Sequence, residues 1–393
     1  MKSGSSLLSA IPTTIFTVMS ALAVRHDAIN LGQGFPDTEG PRDIVQAAAD
    51  ALLDGRNQYP PLAGLPELRQ AVAECNRRFY GLAVDPAREV VVTSGATEAL
   101  TASLIALVDP GDEVVLIEPF YDTYLPVVRL LGGVPRVVRL REPSPGVPDW
   151  SLPLDELAAA FGLRTKAILL NTPMNPTGKV FSREELGAIA ALVTRHDCYA
   201  ICDEVYEHLV FAPAEHVPLM TLPGMRERCI RIGSAGKSFS LTGWKVGYAT
   251  APAPLAELVA KAHQNLTFTT PPNLQRAVAL GLSREADYFE ALSASLAARR
   301  DLLGEGLRET GFDVLPCSGS YFVIADFRPL GFTGDAMAFC RLITEQARVA
   351  AIPVSAFYDG AEPPAHLVRF AFCKREAVLR EAIGRLRTLF RGN

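Results

Sequence analysis

One lysine has surroundings that favour its neutral form. Lys237 follows a short apolar run, 229–233, and no acidic residue lies between Glu227 and Glu257. Its immediate neighbours are small: Ser234, Ala235, Gly236 and Ser238. An amine that is withdrawn from water and lacks a carboxylate partner loses its proton more readily than a surface lysine. Because a Schiff base with an aldehyde requires a neutral amine, Lys237 is a candidate nucleophile.

Two other interpretations of this lysine involve no covalent chemistry. The first is a solvated lysine on a surface loop. The second is a nucleotide-binding P-loop, because Gly236-Lys237-Ser238 matches the last three positions of that motif. A P-loop also requires a glycine five residues before Gly236, and Arg231 stands there. The P-loop interpretation therefore fails, and the surface-loop interpretation stays open.

A second segment is typical of an anion-binding site. Residues 89–95 predict a strand that ends in glycine, and residues 96–108 predict the helix that follows it. A helix N-terminus offers free N–H groups and the positive end of the helix dipole to an anion. Gly95 permits a close approach of the backbone, and Thr97 adds a hydroxyl group. Similar turns also join strands and helices that bind nothing, so this one indicates a site only together with other residues.

Polar side chains end two further predicted strands. The strand at 198–202 is followed by Asp203 and Tyr206, and the strand at 166–171 leads into a stiff loop that contains Asn175. Ligands collect at the carboxyl ends of parallel strands. Asp203 could hold a protonated ring nitrogen there, and Tyr206 or Asn175 could donate to an oxygen. The alternative is a strand that merely reaches the surface and an ordinary Asn-Pro turn.

An arginine lies inside a predicted strand. Arg369 belongs to the alternating apolar run 366–373, where its charge is costly unless it meets an anion. The guanidinium group forms a fork that suits a carboxylate. This pattern indicates either the carboxylate of a ligand or a buried salt bridge within the protein.

Strand and helix patterns alternate from residue 89 to about residue 265. The alternation predicts an α/β fold with a mostly parallel central sheet and helices on both faces. After this region, long amphipathic helices and two strands predict a smaller α+β domain. The predicted organisation is an N-terminal arm at 1–39, a large domain at 40–275 and a small domain at 276–393.

Composition limits the classes of function. The chain has 393 residues, 49% of them hydrophobic and 21% charged, as in an ordinary soluble protein of two domains. A net charge of −5 offers no basic face for nucleic acid. Seven scattered cysteines indicate reduced thiols in the cytoplasm. The six histidines stand singly, so we expect no metal site.

The N-terminus allows two interpretations. Residues 7–24 carry little charge and end near Ala21-Leu22-Ala23, like a secretory signal with its cleavage site. Pro12 and several hydroxyl residues interrupt this run, which leads directly into a glycine-containing turn at 32–36. We therefore expect an arm of the mature protein. No apolar run approaches the ~20 residues of a membrane span.

The segment from Ser234 to Tyr248 carries a resemblance to a known family. Its Ser-x-x-Lys and Thr-Gly-Trp-Lys-Val-Gly-Tyr sequences resemble the lysine segment of the class I and II (fold type I) pyridoxal-phosphate aminotransferases. It is most similar to the kynurenine, glutamine and methionine aminotransferases and to the cysteine-S-conjugate β-lyases. The Asn-x-x-x-Asn-Pro-x-Gly sequence at 171–178 agrees with this resemblance, which runs from about residue 11 to the C-terminus.

The resemblance implies pyridoxal 5′-phosphate as cofactor, bound covalently to Lys237. The cofactor ring would contact Tyr121 by stacking, Asp203 at its nitrogen, and Asn175 and Tyr206 at its oxygen. The phosphate would be held by a larger set: Gly95, Ala96, Thr97, Ser234, Lys245 and Tyr59 of the partner subunit. Related sequences carry arginine where this chain has Lys245, which supplies a charge without the fork.

The implied activity is transfer of an amino group between an L-amino acid and a 2-oxo acid by a ping-pong mechanism, in a homodimer with shared sites. Arg369, Asn175 and the backbone N–H of Gly34 would hold the substrate carboxylate. Apolar, aromatic, methionine-like or glutamine-like substrate side chains are suggested by three aromatic residues: Phe16, Tyr121 and Phe268.

Two alternative functions share this scaffold. One is β-elimination from cysteine conjugates, which releases pyruvate and ammonia. The other is a catalytically silent regulator or binding protein. Such regulators usually carry a DNA-binding module in front of the fold, and only about 30 residues precede the glycine turn here. The presence of both Lys237 and Arg369 also argues against a silent protein.

Overall fold

The strands form three sheets in the computed structural model, which describes residue 2 and residues 4–55, 57–360 and 362–392. Numbered along the chain, they are β1 (Ile29–Asn30), β2 (Val90–Thr93), β3 (Glu113–Glu118), β4 (Val134–Arg139), β5 (Thr165–Asn171), β6 (Tyr199–Asp203), β7 (Cys229–Ser234), β8 (Gly247–Thr250), β9 (Asp313–Val314), β10 (Phe322–Asp326), β11 (Val349–Ala350), β12 (Ile352–Pro353) and β13 (Leu367–Ala371).

The α-helices surround these sheets. They are α1 (Ser6–Ala10), α2 (Ile15–Arg25), α3 (Arg42–Leu53), α4 (Pro66–Tyr80), α5 (Ala96–Leu107), α6 (Tyr124–Leu130), α7 (Leu154–Ala160), α8 (Arg183–Arg195), α9 (Ala235–Ser238), α10 (Ala253–Leu266), α11 (Pro272–Leu282), α12 (Ala286–Thr310), α13 (Ala336–Leu342) and α14 (Glu376–Arg391). None of the described helices is long and apolar enough to cross a membrane.

The largest sheet has the strand order β2-β8-β7-β6-β5-β3-β4. Only β8 runs antiparallel to its neighbours β2 and β7, and the other pairs are parallel. The carboxyl ends of six strands therefore meet at one edge, where ligands of such sheets bind. The predicted α/β fold with a mostly parallel sheet is confirmed.

Helices cover both faces of this sheet. On β3, Val114 and Leu116 pack in one apolar cluster with Leu104 of α5. The alternate residues Val115 and Ile117 pack in a second cluster, which contains residues of α7 and α8. Because successive side chains of a strand point to opposite faces, an uninterrupted apolar run is buried on both sides.

A second, antiparallel sheet has the order β12-β13-β10-β9 and belongs to the C-terminal part of the chain, as predicted for the smaller α+β region. The N-terminal arm joins this part, because β1 pairs in parallel with β11. The domain boundaries at 39/40 and 275/276 stay a prediction.

A local sequence signal marks the start of α8. Ser182 caps α8, and Glu185 returns the bond in a complete capping box. Helix α13 ends at Leu342, and the chain continues as one π turn, Ile343–Ala347. This turn ends where Arg348 adopts a left-handed conformation, with φ of 56°.

Candidate active site

A cavity of about 300 Å³ lies at the carboxyl edge of the large sheet. It collects nearly all of the residues singled out in the sequence: Phe16, Gly34, Gly95, Ala96, Thr97, Tyr121, Asn175, Asp203, Tyr206, Ser234, Lys237, Lys245 and Arg369. They come from the ends of β2, β3, β5, β6 and β7, from the arm and from β13. Tyr59 and Phe268 do not line this cavity.

Lys237 lies on the short turn α9, directly after β7, and its amine faces the cavity. Its Nζ donates to the hydroxyl oxygen of Tyr321 at 2.9 Å. Within the described residues, no carboxylate forms a salt bridge with it. Burial lowers the pKa of Lys237 to about 8, although Cys373 and Asp203 act in the opposite direction. This amine therefore loses its proton more readily than that of a surface lysine, as a nucleophile or a proton acceptor requires.

The turn between β2 and α5 forms an anion cup. Gly95 adopts a positive φ of 81°, and α5 then begins at Ala96 without a side-chain cap. The first N–H groups of α5 are thus free for a ligand. The Lys245 side chain lies beside this turn, since a Cβ atom added to Gly95 would lie 3.0 Å from its Cε and 3.2 Å from its Nζ. Ser234 of β7 completes the lining.

The buried carboxylate of Glu98, in the first turn of α5, stabilises this turn. Glu98 accepts hydrogen bonds from the backbone N–H of Ser94, from His263 Nδ1 at 2.7 Å and from the Thr267 hydroxyl at 2.7 Å. Burial opposes ionisation of Glu98, but these hydrogen bonds hold its pKa below the usual value. The turn that presents Gly95 is therefore tied to α10 and the segment after it.

Asp203 ends β6, the neighbour of β7 in the sheet. Its Oδ2 accepts a hydrogen bond of 2.5 Å from the Tyr124 hydroxyl, and its Oδ1 accepts one of 3.4 Å from the Val205 N–H. Burial raises the pKa of Asp203 to about 6, against the lowering effects of these bonds and of Lys237. Above that pH the group is a carboxylate with capacity to hold a protonated ring nitrogen.

Arg369 is fully buried in β13 and carries its charge into the cavity. It donates to Asn175 Oδ1 at 2.7 Å and to the Gly32 carbonyl at 2.6 Å, while its Nε has no hydrogen-bond partner. Its guanidinium lies 3.9 Å from the Phe322 ring centroid. Burial lowers the pKa of Arg369 to about 10, so the group is charged at neutral pH.

No carboxylate among the described residues forms a salt bridge with Arg369. The intramolecular salt bridge considered for this residue is therefore wrong for the described part of the chain. The side-chain amide oxygen of Asn175 accepts a hydrogen bond from Arg369. The N–H groups of the same amide are therefore available to a ligand. An uncompensated buried cation beside such donors is suited to an anionic ligand, because a buried charge is costly without a partner.

Tyr59 and Phe268 lie together outside the cavity. The Tyr59 side chain is 81% exposed, and its ring meets that of Phe268 edge-on at a centroid distance of 5.3 Å. Phe268 itself has a positive φ of 69° and is 43% exposed. Phe268 is predicted to line the pocket for the substrate side chain. In this chain its ring packs against Tyr59 and does not line the cavity.

Four further residues of the site escaped sequence interpretation. Tyr124 binds Asp203, Asn171 accepts from the Asn175 N–H at 2.8 Å, and Phe322 supports Arg369. Tyr321 contacts the Lys237 amine. Asn171 carried a usable signal, as the first residue of the Asn-x-x-x-Asn-Pro-x-Gly sequence. The three aromatic residues carried none, since apolar strands and helices contain similar residues throughout.

The residues present fit a phosphorylated aromatic aldehyde. The cup of N–H groups with Lys245 suits a phosphate dianion, Asp203 suits a protonated ring nitrogen, and a lysine of lowered pKa suits an aldehyde carbon. Of the described residues, no group of three or more His, Cys, Asp or Glu is arranged to hold a metal ion.

Comparison with known proteins agrees with this geometry. Residues 26–386 match the family "Aminotransferase class I and II". The chain is 42% identical to the methionine aminotransferase of Escherichia coli, over 98% of each chain. It is 40% identical to kynurenine–oxoglutarate transaminase 3 of Mus musculus, over 95% of this chain and 87% of that protein.

Among solved structures, that of N-succinyldiaminopimelate aminotransferase from Mycobacterium tuberculosis has a TM-score of 0.95 and 49% identity, and it covers 98% of this chain and 100% of that one. The family match at 26–386 includes every residue that lines the cavity except Phe16. The chain therefore belongs to the class I and II aminotransferases, whose cofactor is pyridoxal phosphate, and it is an aminotransferase.

Proposed function

We propose that the cavity binds an L-amino acid by its α-carboxylate on Arg369 and transfers its amino group to a 2-oxo acid. One observation carries this assignment. Arg369 is a fully buried cation with an unpaired Nε, with no carboxylate partner among the described residues, and it lines the same cavity as Lys237. A ligand carboxylate would supply the missing charge, and Asn175 and the Gly34 backbone would add donors.

Each residue of the site has a distinct task in this proposal. The phosphate group is held by a set of donors: Gly95, Ala96, Thr97, Ser234 and Lys245. Tyr121 stacks on the ring, Tyr206 and Asn175 donate to its oxygen, and Asp203 keeps its nitrogen protonated. When bound, pyridoxal phosphate supplies a sink for the electron pair left as the Cα–H bond breaks. Lys237 Nζ accepts the proton from the substrate Cα, and the Arg369 clamp fixes which Cα bond is labile.

We further propose that the preferred substrate side chains are neutral: apolar, aromatic, methionine-like or glutamine-like. The cations among the described residues that line the cavity are Lys237, Lys245 and Arg369, and each has a task already. A side-chain carboxylate would therefore lose water without gaining a cation. The remaining walls include Phe16, Phe35 and Phe322, which suit apolar groups. The name of the methionine relative supports the same class.

A panel of amino donors tests this function. We expect methionine and phenylalanine to convert the cofactor band with a kcat/KM about 100-fold above that of glutamate or N-succinyldiaminopimelate, whose extra carboxylates would be unpaired. Stopped-flow spectra of the half-reaction measure this directly. Equal values for the acidic donors would contradict the neutral pocket. With an S-substituted cysteine, loss of the thiol from Cβ would release pyruvate and ammonia; pyruvate release that does not depend on an added oxo acid would contradict transamination in favour of β-elimination.

We also propose a homodimer in which Tyr59 of each chain reaches the phosphate site of the other. Two features support it. Tyr59 is a largely exposed aromatic residue outside the cavity of its own chain, and Phe268 packs against it. Exposed aromatic pairs of this kind are typical of protein interfaces. Phe268 would then belong to the partner's side-chain pocket.

Mixed dimers test the sharing of sites. Tyr59→Phe should weaken pyridoxal-phosphate binding by about tenfold or more, because a hydrogen bond to a charged group is lost. We expect a heterodimer of one Lys237→Ala chain and one Tyr59→Phe chain, purified with two affinity tags, to regain one site of wild-type affinity and activity. If the two residues act within one chain, no such site appears. Sedimentation velocity gives the number of chains in each particle.

A cytoplasmic location is the remaining part of the proposal. It is supported by the seven cysteines, all of them free and all but Cys317 buried. Unpaired thiols are the usual state of cysteine in a reducing compartment.

A further inference from the structure

The Lys237 amine has one hydrogen-bond partner among the described residues, the Tyr321 hydroxyl. The distance from Nζ to the hydroxyl oxygen is 2.9 Å. The rings of Tyr206 and Tyr321 flank the amine, with centroids 5.5 Å and 5.4 Å from Nζ. The amine is therefore held by an aromatic cage with a single polar contact rather than by a carboxylate.

The direction of this contact is fixed by a second hydrogen bond. The Tyr321 hydroxyl donates to the Gly34 carbonyl at 2.5 Å. A carbonyl oxygen can only accept, so the single proton of the phenol is committed to Gly34. The lone pairs of the phenol oxygen are left for Lys237, which must donate an N–H to it. The neutral amine is thereby oriented, with its own lone pair directed away from Tyr321.

Tyr321 is itself held rigidly. Its side chain is 1% exposed and its ring packs edge-on against Tyr206 at 5.1 Å and against Phe322 at 4.8 Å. Phe322 in turn lies under Arg369. Two adjacent residues, the one before β10 and the first one of β10, thus support the two cationic groups on which the proposed chemistry depends.

One segment of the N-terminal arm, residues 32–34, contacts both Tyr321 and Arg369. The Gly34 carbonyl accepts from Tyr321, and the Gly32 carbonyl accepts from Arg369 at 2.6 Å. The segment packs closely against β10, because a Cβ atom on Gly34 would lie 2.5 Å from the Phe322 ring. The amine and the guanidinium are therefore held in a fixed relation by two carbonyl groups that lie two residues apart.

We propose that Tyr321 is a positioning residue for Lys237: its hydroxyl accepts from the free amine and holds it beside the bound substrate between proton transfers. The proposal rests on the proposed role of Lys237 as proton carrier. The amine is free whenever it is not covalently engaged, and that is the state in which it moves the proton. Tyr321 contributes by orientation, and no proton passes to it.

The variant Tyr321→Phe tests this role, since it removes one oxygen and keeps the ring. We expect kcat to fall about tenfold or more, as for a misplaced catalytic group, with KM for the amino acid nearly unchanged. The isotope effect with an α-deuterated amino acid should rise, because proton transfer becomes more rate-limiting. A purely structural role would not produce this pattern.

The second readout is the titration of the free amine. In enzyme loaded with pyridoxamine phosphate, trace acetic anhydride labels neutral Lys237, and peptide mass spectrometry measures the label against pH. The midpoint should fall by about half to one pH unit in Tyr321→Phe, because an acceptor stabilises the ammonium more than the amine. The other groups that act on Lys237 stay in place: Cys373, Asp203, Lys245 and Arg369.

Tyr288→Phe is the matched control. Its hydroxyl donates to the Ser238 carbonyl at 3.1 Å, one residue after Lys237, but does not reach the amine. We expect wild-type kcat, isotope effect and midpoint in this control. Should Tyr321→Phe fail to fold, 3-fluorotyrosine at position 321 keeps a weaker acceptor, and the midpoint must still fall.

An unchanged isotope effect together with an unchanged midpoint in the altered enzyme would overturn the positioning role. Failure of the underlying function is distinguished by Lys237→Ala: an active Lys237→Ala enzyme would refute the proton carrier itself, whatever Tyr321→Phe does.

Discussion

Replacing Lys237 with alanine should reduce kcat by about 10⁴-fold or more, at least the upper range for one positioned acid–base group. The change removes the only amine of lowered pKa among the described residues that line the cavity beside Asp203. The fold should persist, because the substitution removes a buried cation that has no carboxylate partner in the described residues. Steady-state turnover and circular dichroism check the two parts.

Two controls sharpen this prediction. Lys237→Arg keeps a positive charge but cannot lose its proton, so it should be equally inactive. Lys261→Ala changes an exposed lysine paired only with Glu257 and should retain full activity. In addition, borohydride treatment of the loaded wild-type enzyme should leave the cofactor covalently fixed to the peptide that contains residue 237. An unmodified peptide, or an active Lys237→Ala enzyme, would contradict the assignment.

Arg369→Ala should raise KM for both the amino acid and the oxo acid by at least about 30-fold, since loss of one partner of a desolvated charge pair costs about 2–5 kcal/mol. The KM values of Arg369→Lys should lie between those of the wild-type enzyme and Arg369→Ala. Lysine keeps the positive charge but lacks the fork that binds Asn175 and a carboxylate together. Steady-state kinetics with saturating co-substrate measure both constants.

If Arg369 binds the substrate carboxylate, its replacement should affect only substrates that carry an α-carboxylate. An amine that lacks the α-carboxylate should react with wild-type and Arg369→Ala enzymes at similar rates, so the discrimination between the two substrates should collapse in the variant. Arg300→Ala is the control: this arginine also lies over an aromatic ring, Phe211 at 4.8 Å, but does not line the cavity. Unchanged KM values in Arg369→Ala would refute the clamp.

Much of the large sheet could be predicted from the chain because local signals there agree with one another. Apolar runs of strand length are followed by glycine or polar residues, and each run became a strand of the central sheet. Because ligands collect at the carboxyl ends of parallel strands, the strand pattern alone predicts one site from residues that follow four of these strands: Gly95, Asn175, Asp203 and Lys237.

The rest of the site depends on packing that no local pattern encodes. Phe322 begins a strand of a different sheet and Tyr321 directly precedes it, and only the docking of that sheet brings them to Lys237 and Arg369. Glu98 looks like an ordinary acidic residue in the first turn of a helix. Its role appears only when His263 and Thr267 approach from α10 and the residues after it.

The link between the arm and β13 has a consequence for biosynthesis. Gly32 emerges from the ribosome early, but its partner Arg369 is 337 residues further along the chain. The proposed carboxylate clamp therefore cannot form on a nascent chain before Arg369 has been translated. Closing so long a loop is entropically unfavourable, and contacts of this sequence separation slow folding. The arm is therefore without its final partner for this hydrogen bond until Arg369 has emerged from the ribosome.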